Sequence, residues 1–360
     1  MRRFLVTPWI TGALASVIAC GGSAVDLDRQ QGPAANAGAA GSSVVETVPI
    51  GAESGNLLAD DSRVYWVRFG DADPSWAQSC VFDECAATLT TYGQSRGPLL
   101  NAPGSVFFGA VRAVTSVLNI SEWNLFQCPA TGCNGTPTAF VRERDGGVGW
   151  AMSADADALY WVSSPQNDVY RCPLSGCGEV PERVATRPAY TESNGYFQLL
   201  LAGDAAYWIY GSSVYSAAKD GSREATRVVS IEPAPAYLSI AVDESSLYWI
   251  DAASHIVSCP LAHCADSVPT PLVTTDTEKG TLRVDERGLY WIDQVPASNE
   301  SMIRFCPLAG CAPNTNPQIL SSNRAVEYAL DSNHVYWLNK TVKSSSHFEP
   351  TIFRVQKPTP

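Results

Sequence analysis

From residue 43 onward, short apolar stretches alternate with polar turns along the chain. A representative stretch is Leu238-Ser239-Ile240-Ala241-Val242, followed by a polar turn and a second apolar stretch that contains Tyr248 and Trp249. Alternation over a few residues, bounded by turn formers, is typical of β-strands, whereas amphipathic helices show a longer apolar period. The pattern predicts an all-β protein built from many short antiparallel strands.

The dipeptide Tyr-Trp recurs and marks a repeating unit. It stands at Tyr65-Trp66, Tyr160-Trp161, Tyr207-Trp208, Tyr248-Trp249, Tyr290-Trp291 and Tyr336-Trp337. We place a seventh, degenerate copy at Leu118-Asn119. Five residues before the Tyr position, most units carry an aspartate: Asp60, Asp155, Asp243, Asp285 and Asp331. An aspartate suits a turn between two strands, because its carboxylate can accept a hydrogen bond from the backbone two residues further on.

Each unit contains four strand-like segments within about 40 to 45 residues, which is typical of one blade of a β-propeller. Seven units predict seven blades, with six or eight as the alternatives. The last unit stops after a third strand at 352–355, and residues 43–50 resemble a fourth strand. The N-terminal strand is therefore predicted to complete the last blade and close the ring. A solenoid is a weaker alternative, because it needs capping units that the sequence lacks.

The N-terminal region is predicted to be a targeting segment. Residues 1–19 combine a short basic head with an apolar run from Phe4 to Ile18, which has the proportions of a signal peptide and is too short to span a membrane comfortably. Ala19-Cys20 and the residues before it resemble the bacterial lipoprotein signal, in which the cysteine is lipidated. The alternative is an ordinary secretory signal with an incidental cysteine. Residues 20–42 are then the lipidated cysteine and a flexible tether, and residues 43–360 the propeller domain.

This reading predicts a location in the cell envelope, with palmitate-type acyl chains as the sole membrane attachment. Gly21, rather than an aspartate, follows Cys20, and this favours the outer membrane. The formal net charge of −12 excludes a general electrostatic attraction for nucleic acid. We expect the protein to be a monomer.

Two units also resemble a known propeller repeat. Leu247-Tyr248-Trp249-Ile250-Asp251 and Leu289-Tyr290-Trp291-Ile292-Asp293 are similar to the Tyr-Trp-Thr-Asp repeat of lipoprotein-receptor ectodomains. That family has six blades, whereas this chain has seven units. The closer resemblance is to bacterial propeller lipoproteins with Cys-Pro-x-x-Gly-Cys turns, and it implies the fold without supplying an activity.

Ten further cysteines share one spacing. They form the pairs Cys80/Cys85, Cys128/Cys133, Cys172/Cys177, Cys259/Cys264 and Cys306/Cys311. The other two units lack both cysteines, and this all-or-none pattern predicts a disulfide within each pair. We expect a four-residue hairpin loop that sets the two cysteines opposite each other across neighbouring strands, about 4.5 to 5.5 Å apart at Cα. The alternative, half of a zinc site, is disfavoured because the four histidines have no ligand spacing and exported thiols are usually oxidised. We predict no metal and no cofactor.

The repeated residues are interpreted as the frame of the fold, because a residue that recurs at the same place in five of the seven units serves the unit. We find no hydrolase elbow, zinc-protease motif, phosphate loop or dinucleotide fingerprint. Four residues outside the repeat pattern lie in or near the variable segments: Trp76, Glu122, Trp123 and Trp150. Aromatic side chains on variable loops suit a binding surface, although the same residues could plug the channel mouth.

The sequence therefore predicts a non-catalytic module that binds an envelope protein or a glycan. Two alternatives stay open. One is an envelope enzyme, a glycan lyase or hydrolase that uses acidic residues on the variable-loop face. The other is a purely structural envelope component.

Overall fold

The computed structural model describes residues 45–50, 54–69, 75–95, 97–115, 120–143, 148–163, 168–178, 180–186, 198–233, 238–275, 281–295, 300–309, 311, 316–321, 324–344 and 347–359. They form seven four-stranded antiparallel sheets. Helical structure in these ranges is confined to short turns at Phe82–Glu84, Cys85–Thr88 and Leu261–His263. The prediction of an all-β propeller with seven blades is confirmed, and six or eight blades are excluded.

In six blades the four strands follow one another in the chain. Blade 1 consists of β2 (Ser54–Ala59), β3 (Val64–Arg68), β4 (Trp76–Cys80) and β5 (Thr90–Gln94). Blade 2 consists of β6 (Leu99–Ala102), β7 (Ser105–Thr115), β8 (Ile120–Pro129) and β9 (Thr138–Glu143). Blade 3 consists of β10 (Val148–Ala154), β11 (Ala158–Ser163), β12 (Val169–Pro173) and β13 (Glu182–Ala185). Blade 4 consists of β14 (Leu199–Ala202), β15 (Ala205–Tyr210), β16 (Ser213–Ala218) and β17 (Thr226–Ser230).

The remaining blades include the one that closes the ring. Blade 5 consists of β18 (Ile240–Val242), β19 (Ser246–Ile250), β20 (His255–Pro260) and β21 (Thr270–Thr274). Blade 6 consists of β22 (Leu282–Val284), β23 (Gly288–Val295), β24 (Glu300–Pro307) and β25 (Gln318–Ser321). Blade 7 consists of β26 (Ala325–Leu330), β27 (His334–Ser344), β28 (His347–Gln356) and β1 (Glu46–Pro49) from the other end of the chain.

The first strand of each blade lies innermost. First strands of neighbouring blades contact one another, as β2 does with β6 and β26, and they surround a central channel. Because the strands are antiparallel, the turns after the first and third strands lie on one face of the ring, which we call the turn face. The connections after the second strand and between blades lie on the opposite face, which we call the loop face.

The hydrophobic core is divided into seven clusters, one between each pair of neighbouring blades. The Tyr-Trp dipeptide supplies one ring to each side of its blade. Tyr65 packs with Val106 of blade 2, whereas Trp66 packs with Val48 and Tyr336 of blade 7. Successive side chains on a strand point to opposite faces of its sheet. The two rings of the dipeptide therefore pack against the two neighbouring blades and hold the blades together.

The position of the seventh Tyr-Trp copy at Leu118-Asn119 was wrong. In blade 2 the equivalent residues are Phe107 and Phe108, which pair with Leu100 and Leu99 in the same register that joins Tyr207 and Trp208 to their first strand. Phe107 packs toward blade 3 and Phe108 toward blade 1, as a Tyr and a Trp do elsewhere. Residues 118 and 119 lie outside the described residues, after the end of β7.

The recurring aspartates hold the first turn of their blades. In all five, Oδ1 accepts the backbone N–H groups two and three residues further on, as Asp243 does from Ser245 and Ser246, both at 2.8 Å. In four of them Oδ2 accepts the hydroxyl of the Tyr five residues on, at 2.7 to 3.3 Å. Blades 2 and 4 lack the aspartate and use a two-residue turn, with Gly104 and Gly203 at positive φ.

Stability is expected to depend on the ionisation of these turns. Partial burial, the largest single influence, raises the pKa of Asp243, but the hydrogen bonds from Ser245, Tyr248 and Ser246 outweigh it and leave the pKa lowered. The hydrogen bonds to the ionised carboxylate therefore stabilise the fold fully above a pH of about 3.9, the pKa of the carboxyl group in the unfolded chain. This stabilisation is lost as the pH falls through the lower pKa that the group has in the folded protein. Burial, together with the same contact, raises the pKa of the Tyr248 hydroxyl to about 12.

Asp243→Ala should therefore lower the free energy of unfolding by about 0.5–2 kcal/mol, by analogy with lost capping bonds. Urea unfolding at neutral pH measures this loss. The difference between wild type and Asp243→Ala should shrink between pH 5 and pH 2, because the wild-type carboxylate is then protonated. An equally large difference at both ends of that pH range would contradict the assignment.

All five predicted cysteine pairs are disulfide-bonded, with Cα–Cα distances of 4.8 to 5.5 Å. The prediction of local bridges, each within one unit, is therefore confirmed. The bonded pairs are Cys80–Cys85, Cys128–Cys133, Cys172–Cys177, Cys259–Cys264 and Cys306–Cys311.

The expected placement of the second cysteine of each pair, on a strand opposite the first, was wrong. Cys133, Cys177 and Cys311 belong to no strand and are only partly buried, whereas the first cysteine of each of these pairs is fully buried at the end of a third strand. The fourth strand starts five to seven residues after the second cysteine. The chain turns back before Cys133 and Cys177 at Gly132 and Gly176, both at φ +104°. Each bridge thus closes a turn at the end of the third strand instead of crossing between two strands.

The remaining two pairs differ from the expected geometry in the same way. Cys85 opens the short helix Cys85–Thr88, and Cys264 lies in a turn directly after the helical turn Leu261–His263. The four residues between the two cysteines of a pair therefore form a compact turn, helical in these two blades, and not a hairpin loop.

The two blades without a disulfide carry a lysine in the corresponding turn. The backbone N–H groups of Lys219 and Lys357 donate to carbonyl oxygens in the first turn of their own blade, as that of Leu174 does in a disulfide-bonded blade. The Lys219 ammonium lies 2.8 Å from Asp155 of blade 3. The Lys357 ammonium lies 2.5 Å from Asp285 of blade 6. In these two blades, an ion pair to the preceding blade therefore takes the place of the disulfide that the other five blades have in this turn.

The ring is closed by β1, as predicted. This strand pairs antiparallel with β28, from Glu46 opposite Arg354 to Pro49 opposite Thr351. The Arg354 guanidinium contacts Glu46 of β1 and, at 2.7 Å, Asp83 of blade 1. It also lies 4.4 Å from the ring centroid of Phe82 in blade 1. One arginine therefore ties the N-terminal strand, its own blade and the first blade together at the seam.

Candidate functional site

The blades differ most on the loop face. In blades 2 and 7 the hairpin of the second and third strands continues for seven residues beyond the Trp position, to Thr115 and Ser344, whereas in blade 1 it ends after two, at Arg68. At roughly 3.3 Å per residue, the extra five residues project about 16 Å further. Blade 6 has a hairpin of intermediate length that reaches Val295. We call β7–β8 and β27–β28 the long hairpins.

Blade 1 lies between the long hairpins of blades 7 and 2 and carries aromatic side chains on this face. Trp76 opens β4, pairs with Arg68 and is half-buried. Phe69 follows β3 and is 40% exposed. Its ring lies against Gly55, where an added Cβ would be 3.2 Å from Cε2 of Phe69. The neighbouring first strand, in blade 7, exposes Val326 at 47%. Phe69, Trp76 and Val326 form what we call the blade 1 surface.

The other predicted site residues lie at the same end of adjacent blades. Glu122 and Trp123 stand on β8 opposite Arg112 and Val111, in the long hairpin of blade 2, and Trp150 stands on β10 of blade 3. Their side chains are outside the described part of the structure, as is the whole of residue 20. The prediction thus placed all four residues on one face of three neighbouring blades, and Trp76 is the one whose surroundings are described.

Sequence reasoning missed Phe69. It stands three residues after the Trp of its unit, where blade 2 has Val111 and the other five units have small or polar residues: Ser164, Gly211, Ala252, Gln294 and Lys340. An aromatic residue at this position was a detectable departure from the repeat. It escaped notice because it directly follows the consensus strand, which ends at Arg68.

Two carboxylates near the loop face are bound to neighbouring residues of their own blades. Asp293 is buried and accepts hydrogen bonds from the Trp291 indole at 2.9 Å and the Arg304 guanidinium at 3.1 Å. Asp251 accepts the backbone N–H groups of Ala253 and His255 and holds the short turn of blade 5. These two residues are the fourth-position aspartates of the repeat, and their contacts give them a structural role. Among the described residues no group of three or more His, Cys, Asp or Glu side chains is arranged to hold a metal.

Two cavities lie away from the blade 1 surface. The central channel has a volume of about 600 Å³ and is lined by the first strands. A groove of about 830 Å³ lies between the outer strands of blades 4 and 5 and is lined by Trp249, Pro233 and Pro271, among others. No helix within the described ranges is long and apolar enough to cross a membrane.

Comparison with known proteins supports the fold. No protein-family model and no curated protein matches the chain. The chain is similar to the β-propeller domain of the Trilobed protease from Pyrococcus furiosus, which has an open velcro topology, with a TM-score of 0.55 and 9% identity over 85% of this chain and 97% of that one. It is also similar to the WD40 β-propeller domain of Doa1, with a TM-score of 0.53 and 10% identity over 84% of this chain and 92% of that one. At these identities the likeness shows the propeller fold alone.

Proposed function

We propose that this protein is a lipid-anchored β-propeller of the cell envelope that binds an envelope protein or glycan, without catalysis, through the loop face of blades 1, 2 and 7. The observation that carries the proposal is the blade 1 surface, where the partly exposed rings of Phe69 and Trp76 lie between two long hairpins. Aromatic side chains supply large contact areas and are enriched among residues that dominate binding energy.

The difference between the recurring residues and the residues of the blade 1 surface supports the same proposal. The recurring Asp, Tyr, Trp and Cys residues are occupied by turn hydrogen bonds, interblade packing and disulfides. The residues of the blade 1 surface do not recur, and they belong to none of the seven interblade clusters. A surface that varies while its frame repeats is the usual location of a binding site on a repeat scaffold.

Site-specific photocrosslinking in native envelopes tests the binding face. A photoreactive phenylalanine analogue at position 69 or 76 should give a discrete adduct with a protein or glycan. The matched controls are positions 180 and 268, where Val180 and Val268 are 82% and 89% exposed on the turn face. Equal adducts from both faces, or adducts from the turn face alone, would refute the proposed surface.

The lipid anchor is tested separately. We expect tritiated palmitate to label the wild-type protein, and the label to be lost in Cys20→Ser but kept in Ser23→Ala, a neighbouring change that leaves the cysteine in place. Acyl chains contribute about 0.8 kcal/mol per buried methylene, so two or more are needed for stable attachment. An unlabelled wild-type protein would leave the propeller without the proposed anchor.

A further inference from the structure

At one position of the inner wall, a single blade carries a charged residue. Each first strand places one residue opposite the Tyr position of its blade. These residues are Leu58, Leu100, Ser153, Leu200, Ala241, Arg283 and Ala329. Arg283 is the only charged member of the set, and it lines the central channel.

Tyr328 of blade 7, a second residue that departs from the repeat, holds Arg283 in place. Its guanidinium carbon lies 5.4 Å from the ring centroid of Tyr328 in blade 7. Tyr328 faces the Trp of its blade, a position that blades 2, 4 and 6 fill with Leu99, Leu199 and Leu282. The Tyr328 hydroxyl donates to the backbone carbonyl of Tyr290 at 2.8 Å, so the ring beneath the guanidinium is itself fixed.

Among the described residues, the Arg283 guanidinium has no hydrogen-bond or ion-pair partner. Its Nε is buried and makes no hydrogen bond, and the described residues include no carboxylate in ion-pair contact with it. A buried donor without an acceptor is costly, and such a group in a native protein calls for an explanation, such as a bound anion or water. Arg283 is therefore prepared to bind an acceptor that enters the channel.

The other charges of the channel lining are already compensated. Asp285 is paired with the Lys357 ammonium at 2.5 Å. Asp331 accepts the Tyr336 hydroxyl at 2.7 Å and the backbone N–H of His334. Glu286 is exposed at the mouth, 4.0 Å from Arg287. Much of the described wall is apolar: Leu58, Leu100, Met152, Leu200, Leu282 and Leu330.

We infer that the central channel binds a carboxylate with an apolar tail, such as a medium-chain fatty acid. The carboxylate accepts hydrogen bonds from the Arg283 guanidinium, and the tail lies along the leucine side chains. The volume of about 600 Å³ is in the range of small-molecule sites. The channel lining contains two cations, Arg283 and Lys357, and Lys357 is already paired with Asp285. The remaining cation, Arg283, suits one carboxylate better than a phosphate, which is doubly charged and more strongly hydrated. This site is separate from the blade 1 surface and does not depend on the function proposed for it.

Titration calorimetry with dodecanoate, below its micelle concentration, tests the inference. Wild type should bind one equivalent, whereas acetate, which lacks the tail, and dodecanol, which lacks the charge, should bind at least tenfold more weakly. Arg283→Leu should bind dodecanoate about 10- to 100-fold more weakly, the loss expected for one charge-assisted hydrogen bond. This substitution restores the residue of blades 1, 2 and 4, so the fold should survive, and thermal melting verifies that it does.

The control variant is Arg183→Leu, which removes a cation that is 56% exposed on the outer strand of blade 3. It should bind dodecanoate as wild type does. Unchanged affinity in Arg283→Leu, equal binding of dodecanol, or no binding of dodecanoate to wild type would overturn the inference. The last result would mean that water alone satisfies the guanidinium.

Discussion

Deletion of residues 45–50, which removes β1, is expected to lower the free energy of unfolding by about 3–6 kcal/mol. Val45 and Val48 are 1% and 6% exposed and belong to the clusters on either side of blade 7. Full burial of each valine contributes about 1.5–3 kcal/mol. The deletion also removes Glu46 from Arg354 and exposes the backbone of β28 as a free edge, which favours aggregation.

Urea unfolding and light scattering would measure this effect. The matched control is deletion of residues 22–40, which is close in sequence but is predicted to affect only the tether. The control should unfold at the wild-type urea concentration. Indistinguishable unfolding of the two deletions would show that β1 does not hold the ring closed.

Lys357→Met is expected to cost about 3–5 kcal/mol, the usual penalty for removing one partner of a buried ion pair. The Lys357 side chain is 2% exposed and that of Asp285 is 14% exposed. Methionine preserves most of the buried stem but leaves the Asp285 carboxylate with only the turn N–H groups as partners. Lys219→Met is the control, because that pair is 23% and 24% exposed and should cost about 0–1 kcal/mol.

Equilibrium denaturation measures the free energy of unfolding of both variants and so tests this prediction. Adding Asp285→Asn to Lys357→Met should recover part of the loss, because it removes the unpaired charge. If Lys357→Met unfolds like Lys219→Met, or if the second substitution recovers nothing, the ion pair does not couple blade 6 to blade 7.

The frame of this protein could be predicted because its physical requirements repeat. A turn that needs an acceptor for two N–H groups selects Asp in five blades, and an interblade surface that needs a ring on each side selects Tyr-Trp. The repeat also predicts the blade count, the local disulfides and the N-terminal closing strand. Each of these depends on residues close in the chain or on the arithmetic of the units.

The errors have an equally physical origin. The equivalent of the dipeptide in blade 2 is Phe107-Phe108, whose two rings fill the interblade positions by packing alone. A search for the dipeptide could not recognise it. Cys133, Cys177 and Cys311 were misplaced onto a strand because the spacing between two cysteines does not show where the next strand begins. A bridge across two strands and a bridge that closes a turn need the same Cα–Cα distance, so the spacing fits both.

The remaining features depend on contacts between distant residues. The Lys219–Asp155 pair and the Lys357–Asp285 pair join residues 64 and 72 positions apart. No local pattern signals them, although lysine stands in the turn of each blade that lacks cysteines. Arg283 over Tyr328 likewise becomes meaningful only once two first strands are known to be neighbours.

The central claim is that the repeated residues build a frame while the blade 1 surface binds. The most direct test measures the affinity of the crosslinked partner, once identified, for the folded fraction of Trp76→Ala and of Asp243→Ala. We expect Trp76→Ala to melt like wild type and to bind more weakly by about 1–3 kcal/mol, the loss typical of an interface hot spot. Asp243→Ala should melt at a lower temperature and bind with wild-type affinity. Wild-type binding by Trp76→Ala, or weakened binding by Asp243→Ala with an unchanged melting temperature, would contradict the claim.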